Sequence, residues 1–393
     1  MTAIPAQGRA ALRVLLGGML GMVVAMGIGR FAYTPILPLM QRDLGMSHTL
    51  AGWLAGLNYF GYFAGALLCT VKPQLLRSQA LAAGVLLLSL ATTLGMGLTD
   101  SPLWWGAMRL AAGIASAILF IVISAEVGES LLRRGYGHWF GSLYGGIGLG
   151  IVFCGLIIPQ LDRAGGWSVA WTGSGLLAIV LAVLGTLLGR ERSLMPAATA
   201  PAGRGGGLAS ISILASAYFF EGLGYIVTAT FLVAIIAVTP GLATFAPYSW
   251  VAVGVAAIPS TIFWPWLARR IGSRKALLSA YLLQAAGILV SIRAGTVIEV
   301  LFAAVSFGGT FLGIVAMTLA EGRQRMELEG RRAAAFLTAS FSIGQMLGPV
   351  LAGVLADLHH GFTLPLLFAA GSVMLGASLT LLDRNFHVAG RTG

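Results

Sequence analysis

Residues 190–208 read RERSLMPAATAPAGRGGGL, the only long polar, Pro/Gly-rich run in the chain. A run of that composition makes a linker rather than a packed element. Apolar segments recur on either side of it. Windows of about 20 residues match the length an α-helix needs to cross a hydrocarbon core. Read that way, six segments precede the linker, near 12–38, 49–70, 76–98, 102–128, 138–160 and 168–189. Six follow, near 209–238, 246–268, 275–293, 297–320, 333–356 and 362–382. The expectation is an all-α membrane protein: twelve transmembrane helices in two six-helix bundles, residues 1–189 and 209–393, joined by a cytoplasmic linker.

Composition agrees. Of 393 residues, 58% are hydrophobic and 9% charged, and the mean hydropathy is +0.90, far outside the range of a soluble domain. The formal charge of +11 suits a nucleic-acid partner only until its placement is examined. With the N-terminus in the cytoplasm, nineteen of the 24 Lys and Arg fall in inner breaks or termini. Arg42, Arg163 and Arg293 lie in outer breaks, and Arg30 and Arg109 lie inside segments. Basic residues stay on the cytoplasmic side, so this pattern signals topology and places both termini inside. Arg9 and Arg13 ahead of an apolar run imitate a signal peptide, but the run is long and eleven more follow, so it reads as a retained first helix. The nine tryptophans fall near segment ends, as interfacial indoles do.

Cys69 and Cys154 sit inside apolar segments, which does not suggest a disulfide framework. The adjacent His359 and His360 lack the Cys or carboxylate companions of a metal site. The chain holds no phosphate-cradling G-x-x-x-x-G-K-[ST] motif. The expectation is therefore neither an enzyme nor a cofactor protein, with any work drawn from a gradient.

Sliding the second half over the first brings Gly27-Ile28-Gly29 onto Gly222-Leu223-Gly224, Trp53 onto Trp250 and Gly148 onto Gly348, in order and at near-constant offset. Two parallel repeats related by an axis along the membrane normal are a transporter plan. Small-residue spacings such as Gly52-x-x-x-Gly56 and Gly61-x-x-x-Gly65 predict close helix packing. Pro35 and Pro38 in the first segment, and Pro259 and Pro265 in the eighth, predict bends.

Several stretches resemble signatures of the major facilitator superfamily. Pro265-Trp266-Leu267-Ala268-Arg269-Arg270-Ile271-Gly272-Ser273-Arg274-Lys275 resembles its cytoplasmic loop motif, with Arg269 where an Asp is expected. Arg109-Leu110-Ala111-Ala112-Gly113 resembles its R-x-x-x-G motif, whose Arg is implicated in proton coupling. Gly344-Gln345-Met346-Leu347-Gly348-Pro349 resembles G-x-x-x-G-P, although the fifth segment, where antiporters carry that motif, has Leu149 in place of Pro. More specifically, Gly27-Ile28-Gly29-Arg30-Phe31-Ala32-Tyr33-Thr34-Pro35-Ile36-Leu37-Pro38 resembles the YbfB/YjiJ-like bacterial branch. So do Ala51-Gly52-Trp53-Leu54-Ala55-Gly56-Leu57-Asn58-Tyr59-Phe60-Gly61-Tyr62 and Glu221-Gly222-Leu223-Gly224-Tyr225. The resemblance implies a monomeric bacterial inner-membrane permease, with protons, the lipid bilayer and a small-molecule substrate as partners and no nucleic acid. It also implies that the first, fourth, seventh and tenth segments line a central cavity.

Three of those segments carry Arg30, Arg109 and Glu221. Ionisable groups at such depth are costly and usually functional. Arg30, a planar fork of donors, is the candidate anchor for an anionic group, or else one half of an ion pair with Glu221. Glu221 is the candidate proton carrier, because a carboxyl can exchange its proton when its surroundings alternate between desolvation and a neighbouring cation. Arg109, just after Trp104 and Trp105, is open to a coupling role or to snorkelling at the headgroups. Tyr33, Asn58, Tyr62, Tyr225 and Gln345 offer polar handles for a small organic molecule or interhelical hydrogen bonds. Glu126, Arg269 and Arg270, with Arg323 and Arg325, suit an inner gate of salt bridges. The functional expectation is a proton-coupled secondary transporter working by alternating access. An uncoupled facilitator or a non-transporting membrane sensor is the rival reading.

Overall fold

A computed structural model describes residues 6–74, 78–189, 207–326 and 330–386. Most of the expected linker therefore lies outside the described residues. Twelve α-helices are present among those described: α1 (Ala6–Met22), α2 (Tyr33–Leu44), α3 (His48–Val71), α4 (Gln79–Gly95), α5 (Pro102–Arg133), α6 (Gly145–Leu188), α7 (Ser212–Ala237), α8 (Ala246–Ile271), α9 (Ser273–Ser291), α10 (Val297–Arg325), α11 (Gly330–Leu358) and α12 (Thr363–Leu382). Every apolar segment of the sequence falls on this helical framework, though not one helix to one segment. The first segment is α1 and α2 together, joined through a π-helix over Val23–Ile28. The fifth and sixth share α6, which bends where Gly165 and Gly166 leave helical geometry. Among the described residues, nine helical stretches are long and apolar enough to cross a membrane, and Gln79–Gly95 is a shorter apolar helix.

The bend in α6 has a local cause. Gly166 sits at φ 68°, ψ −159°, a region open to glycine but strained for residues with a Cβ. A Cβ there would also meet a carboxylate oxygen of Asp43 at 3.1 Å.

In the first segment the wide turn is drawn by Gly29 N–H and Phe31 N–H reaching back five residues, to Val24 (2.9 Å) and Met26 (3.0 Å). Pro35 supplies no N–H and crowds the carbonyl four residues back, so the chain loosens ahead of it. Such π-bulges tend to mark functional positions. Here the loosening ends on Arg30. In the eighth segment α8 continues through both Pro259 and Pro265.

Glycines set the spacing between helices. A Cβ on Gly27 would lie 2.5 Å from the Cα of Gly150, one on Gly61 2.1 Å from the Leu110 oxygen, and one on Gly52 2.2 Å from the Pro349 oxygen. Within α1–α6, α3 packs on α5 and α1 on α6; within α7–α12, α7 packs on α11 and α12, and α10 on α8 and α9. Between the two sets, α3 lies along α11, α6 along α8 and α2 along α7. Where α2 meets α7, the Thr34 hydroxyl donates to the carbonyl of Ala229 at 2.5 Å.

The indoles divide three ways, with Trp139 and Trp167 half-buried. Trp53, Trp104 and Trp266 are exposed, as interfacial residues would be, whereas Trp105, Trp171, Trp250 and Trp264 are buried. Those four serve packing rather than a headgroup belt, because the bundle leaves them no lipid-facing surface.

Candidate functional site

Arg30 follows the π-turn and points toward α3. It is 5% exposed, and its guanidinium lies over the rings of Tyr62 (4.3 Å) and Tyr59 (4.5 Å), with Phe31 at 5.7 Å. Stacking a cation on two aromatic faces contributes on the order of 2 kcal/mol each when desolvated. Nε and Nη2 of Arg30 have no hydrogen-bond partner among the described residues.

Across the seam, the ring of Tyr225 on α7 lies nearly parallel to Phe341 (5.3 Å, 13°) and Phe311 (6.1 Å, 9°), and Phe311 to Phe307 (5.2 Å, 11°). Gln345 on α11 donates its amide N–H to the Tyr225 hydroxyl. Phe31 closes the gap between the two sides, meeting Phe311 edge-on at 6.3 Å and Trp250 at 6.3 Å. The seam is thus a buried cation on one side and a group of near-parallel aromatic rings on the other.

Glu221 turns away from this seam. It is 1% exposed, and its Oε1 accepts from the side-chain amide of Gln284 on α9 at 2.8 Å. The Gln284 oxygen in turn accepts from the Thr310 hydroxyl on α10 at 2.7 Å, while Oε2 of Glu221 has no partner among the described residues. The structure therefore does not pair Glu221 with Arg30. Three helices of the second set enclose the carboxyl, and the amide of Gln284 meets it before any cation does.

Arg109 does not snorkel. It is 2% exposed, lies over the Tyr33 ring at 4.5 Å, and directs Nε toward the Leu54 carbonyl at 3.4 Å. Tyr33 donates to the Ala51 carbonyl at 2.9 Å, and the Asn58 amide to the Arg109 carbonyl at 2.9 Å. These three side chains tie α2, α3 and α5 together. The Gly of the R-x-x-x-G signature serves the same contact, since a Cβ on Gly113 would lie 2.0 Å from the Asn58 carbonyl oxygen.

Of the gate residues, Arg269 and Arg270 are exposed, with Arg270 over the Trp266 ring at 5.5 Å. Glu126 is half-buried on α5 and engages neighbours of its own. Arg325 requires a correction. Instead of bridging the two sets of helices it is buried within the second set, with Nε on Glu321 (2.9 Å) and Nη1 on Asp383 (2.7 Å). Nη1 also donates to the Ser210 carbonyl at 3.2 Å. The Glu321-to-Arg325 spacing of four residues was the available signal for half of this triad. Asp383, beyond α12, carried none. Gln284, Thr310 and Tyr59 were likewise missed, being single polar groups in apolar runs.

Among the described residues, no group of three or more His, Cys, Asp or Glu is placed to hold a metal ion.

Residues 22–381 match the family described as "Uncharacterised MFS-type transporter YbfB". The chain belongs to that family. It is therefore a multi-pass membrane transporter of a bacterial major facilitator family, not an enzyme, and its cargo is a small molecule. The fold agrees with solved members of the wider superfamily. A point mutant of the nucleoside transporter NupG is similar over 95% of this chain and 100% of its own at TM-score 0.77 and 13% identity. NupG itself gives TM-score 0.74 at 14% identity, covering 95% of this chain and 99% of its own. A bacterial homologue of the human lysosomal transporter Spinster, inward-facing and unoccupied, gives 0.70 at 14%, covering 98% of each chain. At such identities the likeness concerns the fold alone. No curated protein matches the sequence.

Proposed function

We propose that this family member is a proton-coupled secondary transporter in which residues 1–189 rock against residues 209–393 around the seam at Arg30. The observation that carries this reading is the unpartnered edge of Arg30, a buried cation held by aromatic faces at the contact between the two sets of helices. A buried charge with free donors is costly to keep, and binding an anionic group there repays it. Arg30, Tyr62, Tyr225 and Gln345 are the binding residues. Tyr33, Asn58 and Arg109 hold the helices that position them. Glu221 carries the proton, through a carboxyl oxygen that lacks a partner among the described residues beside Gln284.

The remaining features of the reading are a bacterial inner-membrane location, cytoplasmic termini and a monomeric working unit. The skewed placement of Lys and Arg supports the orientation. Arg269 and Arg270, in the last turn of α8, and Glu126, further inside α5, remain the inner-gate candidates.

One observation favours a second reading, uncoupled exchange. Glu221 is tied to Gln284 and Thr310, within α7, α9 and α10, rather than to the seam. Purified protein in proteoliposomes, screened by counterflow against organic acids, organic bases and nucleosides with and without an imposed pH gradient, separates the two. The expected result is gradient-driven uptake of at least one solute, abolished by Arg30→Ala and uncoupled from the gradient by Glu221→Gln. Gradient dependence unchanged in Glu221→Gln would refute the coupling assignment.

A further inference from the structure

The two unpartnered nitrogens of Arg30 are not an arbitrary pair. Nε–H and one N–H of Nη2 run parallel along one edge of a guanidinium, the fork that receives a carboxylate through two hydrogen bonds. Both are without a hydrogen-bond partner among the described residues. The rings of Tyr59 and Tyr62 lie 4.5 and 4.3 Å from the guanidinium carbon, so what these two nitrogens lack is a hydrogen-bond acceptor. Arg109 differs in that its Nε is already directed at the Leu54 carbonyl and its guanidinium carbon lies over the Tyr33 ring.

The opposite wall has a complementary character. Phe307, Phe311, Tyr225 and Phe341 present near-parallel rings, with interplanar angles of 11°, 9° and 13° between successive members. Parallel faces at that spacing favour another flat ring in offset stacking over a branched or saturated group. Phe31, the next residue after Arg30, meets Phe311 at 6.3 Å, and Phe311 lies against Tyr225. The cation's edge and the aromatic faces thus border one seam.

We propose that the transported molecule is a carboxylate borne on a flat conjugated ring, an aromatic or heteroaromatic monocarboxylate. Its carboxylate takes Nε and Nη2 of Arg30, and its ring stacks against Tyr225 and Phe311 as the halves part. The fork of Arg30 matches one carboxylate. The wall of near-parallel rings sets the ring. This inference rests on the reading of Arg30 as the substrate-binding cation.

The test is binding to the full-length protein in nanodiscs, by calorimetry, using benzoate and cinnamate as probes. Benzamide and cinnamamide remove the charge, and cyclohexanecarboxylate keeps the charge but removes the conjugated ring. Benzoate and cinnamate are expected to bind at least tenfold more tightly than their amides and than cyclohexanecarboxylate. Arg30→Lys, which keeps the charge and loses the fork, should cost tenfold or more. Tyr225→Leu should narrow the gap between benzoate and cyclohexanecarboxylate. Should either variant fail to fold, the wild-type ligand series decides by itself. Equal binding of acids and amides overturns the carboxylate, and equal binding of benzoate and cyclohexanecarboxylate overturns the ring. Absence of binding by all five probes at millimolar concentration overturns both. Counterflow of a neutral solute that persists in Arg30→Gln overturns the substrate class and the role of Arg30 while leaving transport itself standing.

Discussion

The carboxylate of Asp357, in the last turn of α11, accepts the backbone N–H groups of His48 (3.1 Å) and Thr49 (2.7 Å), the first two residues of α3. These are helix-terminal donors with no partner inside their own helix, and a carboxylate there is favoured by the helix dipole. The contact joins the two sets of helices at the end of the molecule remote from the start of α7. Just below it, Gly353 lies against the His48 carbonyl, where a Cβ would come within 2.3 Å.

Asp357→Ala should loosen this end. Loss of a charged cap costs about 1–2 kcal/mol, roughly a tenfold shift between closed and open arrangements at that end. Spin labels at Leu44 and Leu358, both exposed, should report a larger share of long distances in the variant. An unaltered distance distribution would mean that the contact does not hold the two sets together.

The Glu321–Arg325–Asp383 triad is fully enclosed, with side chains 0–2% exposed. Removing one member strands a buried charge, which costs about 3–5 kcal/mol. Asp383→Ala and Arg325→Ala should each lower the unfolding temperature markedly in detergent. The triple change Glu321→Leu, Arg325→Met and Asp383→Leu should recover most of that loss. A single variant as stable as the parent protein would contradict the burial argument.

Glu221 and Gln284 form a second enclosed pair. Gln284→Leu deprives both Glu221 and Thr310 of a buried partner and should destabilise by about 1–3 kcal/mol. Adding Glu221→Leu should cost less than the sum of the single changes, and a double-mutant cycle on thermal unfolding measures the difference. Strict additivity would show that the 2.8 Å contact carries no energy.

Gly27 and Gly150 touch backbone to backbone. Gly27→Ala places a Cβ 2.5 Å from the Gly150 Cα, so α6 and the π-turn must separate, at a cost of about 1–3 kcal/mol for overpacking. Gly371→Ala, with nothing within 4 Å of the added Cβ, is the matched control and should leave stability unchanged. Melting curves of the two variants side by side check this. Equal melting temperatures would rule out close approach as the reason for glycine at position 27.

The glycine spacings, the helical segments and the depth of Arg30, Arg109 and Glu221 within apolar runs are legible in the amino-acid sequence, because each depends on residues near one another along the chain. A run of apolar residues has only one economical way to cross a bilayer, and the small residues in it must face a neighbour. The break ahead of Arg30 is half legible, since Pro35 announces a bend but not that the turn widens over Val23–Ile28. Helix α8 continues through Pro259 and Pro265, since helix neighbours and local adjustment can absorb the loss of a proline's donor.

The sequence by itself determined that this chain builds a helical membrane transporter and that three costly charges lie within its helices. Only the tertiary structure decided what those charges face. Arg30 meets Tyr59 and Tyr62, Glu221 meets Gln284, and Arg109 meets Tyr33 and the Leu54 carbonyl. The physical reason is that a helix's direction follows from its own residues, whereas its rotation about its axis is set by neighbours far along the chain. That rotation determines whether a side chain looks into the seam or into its own bundle.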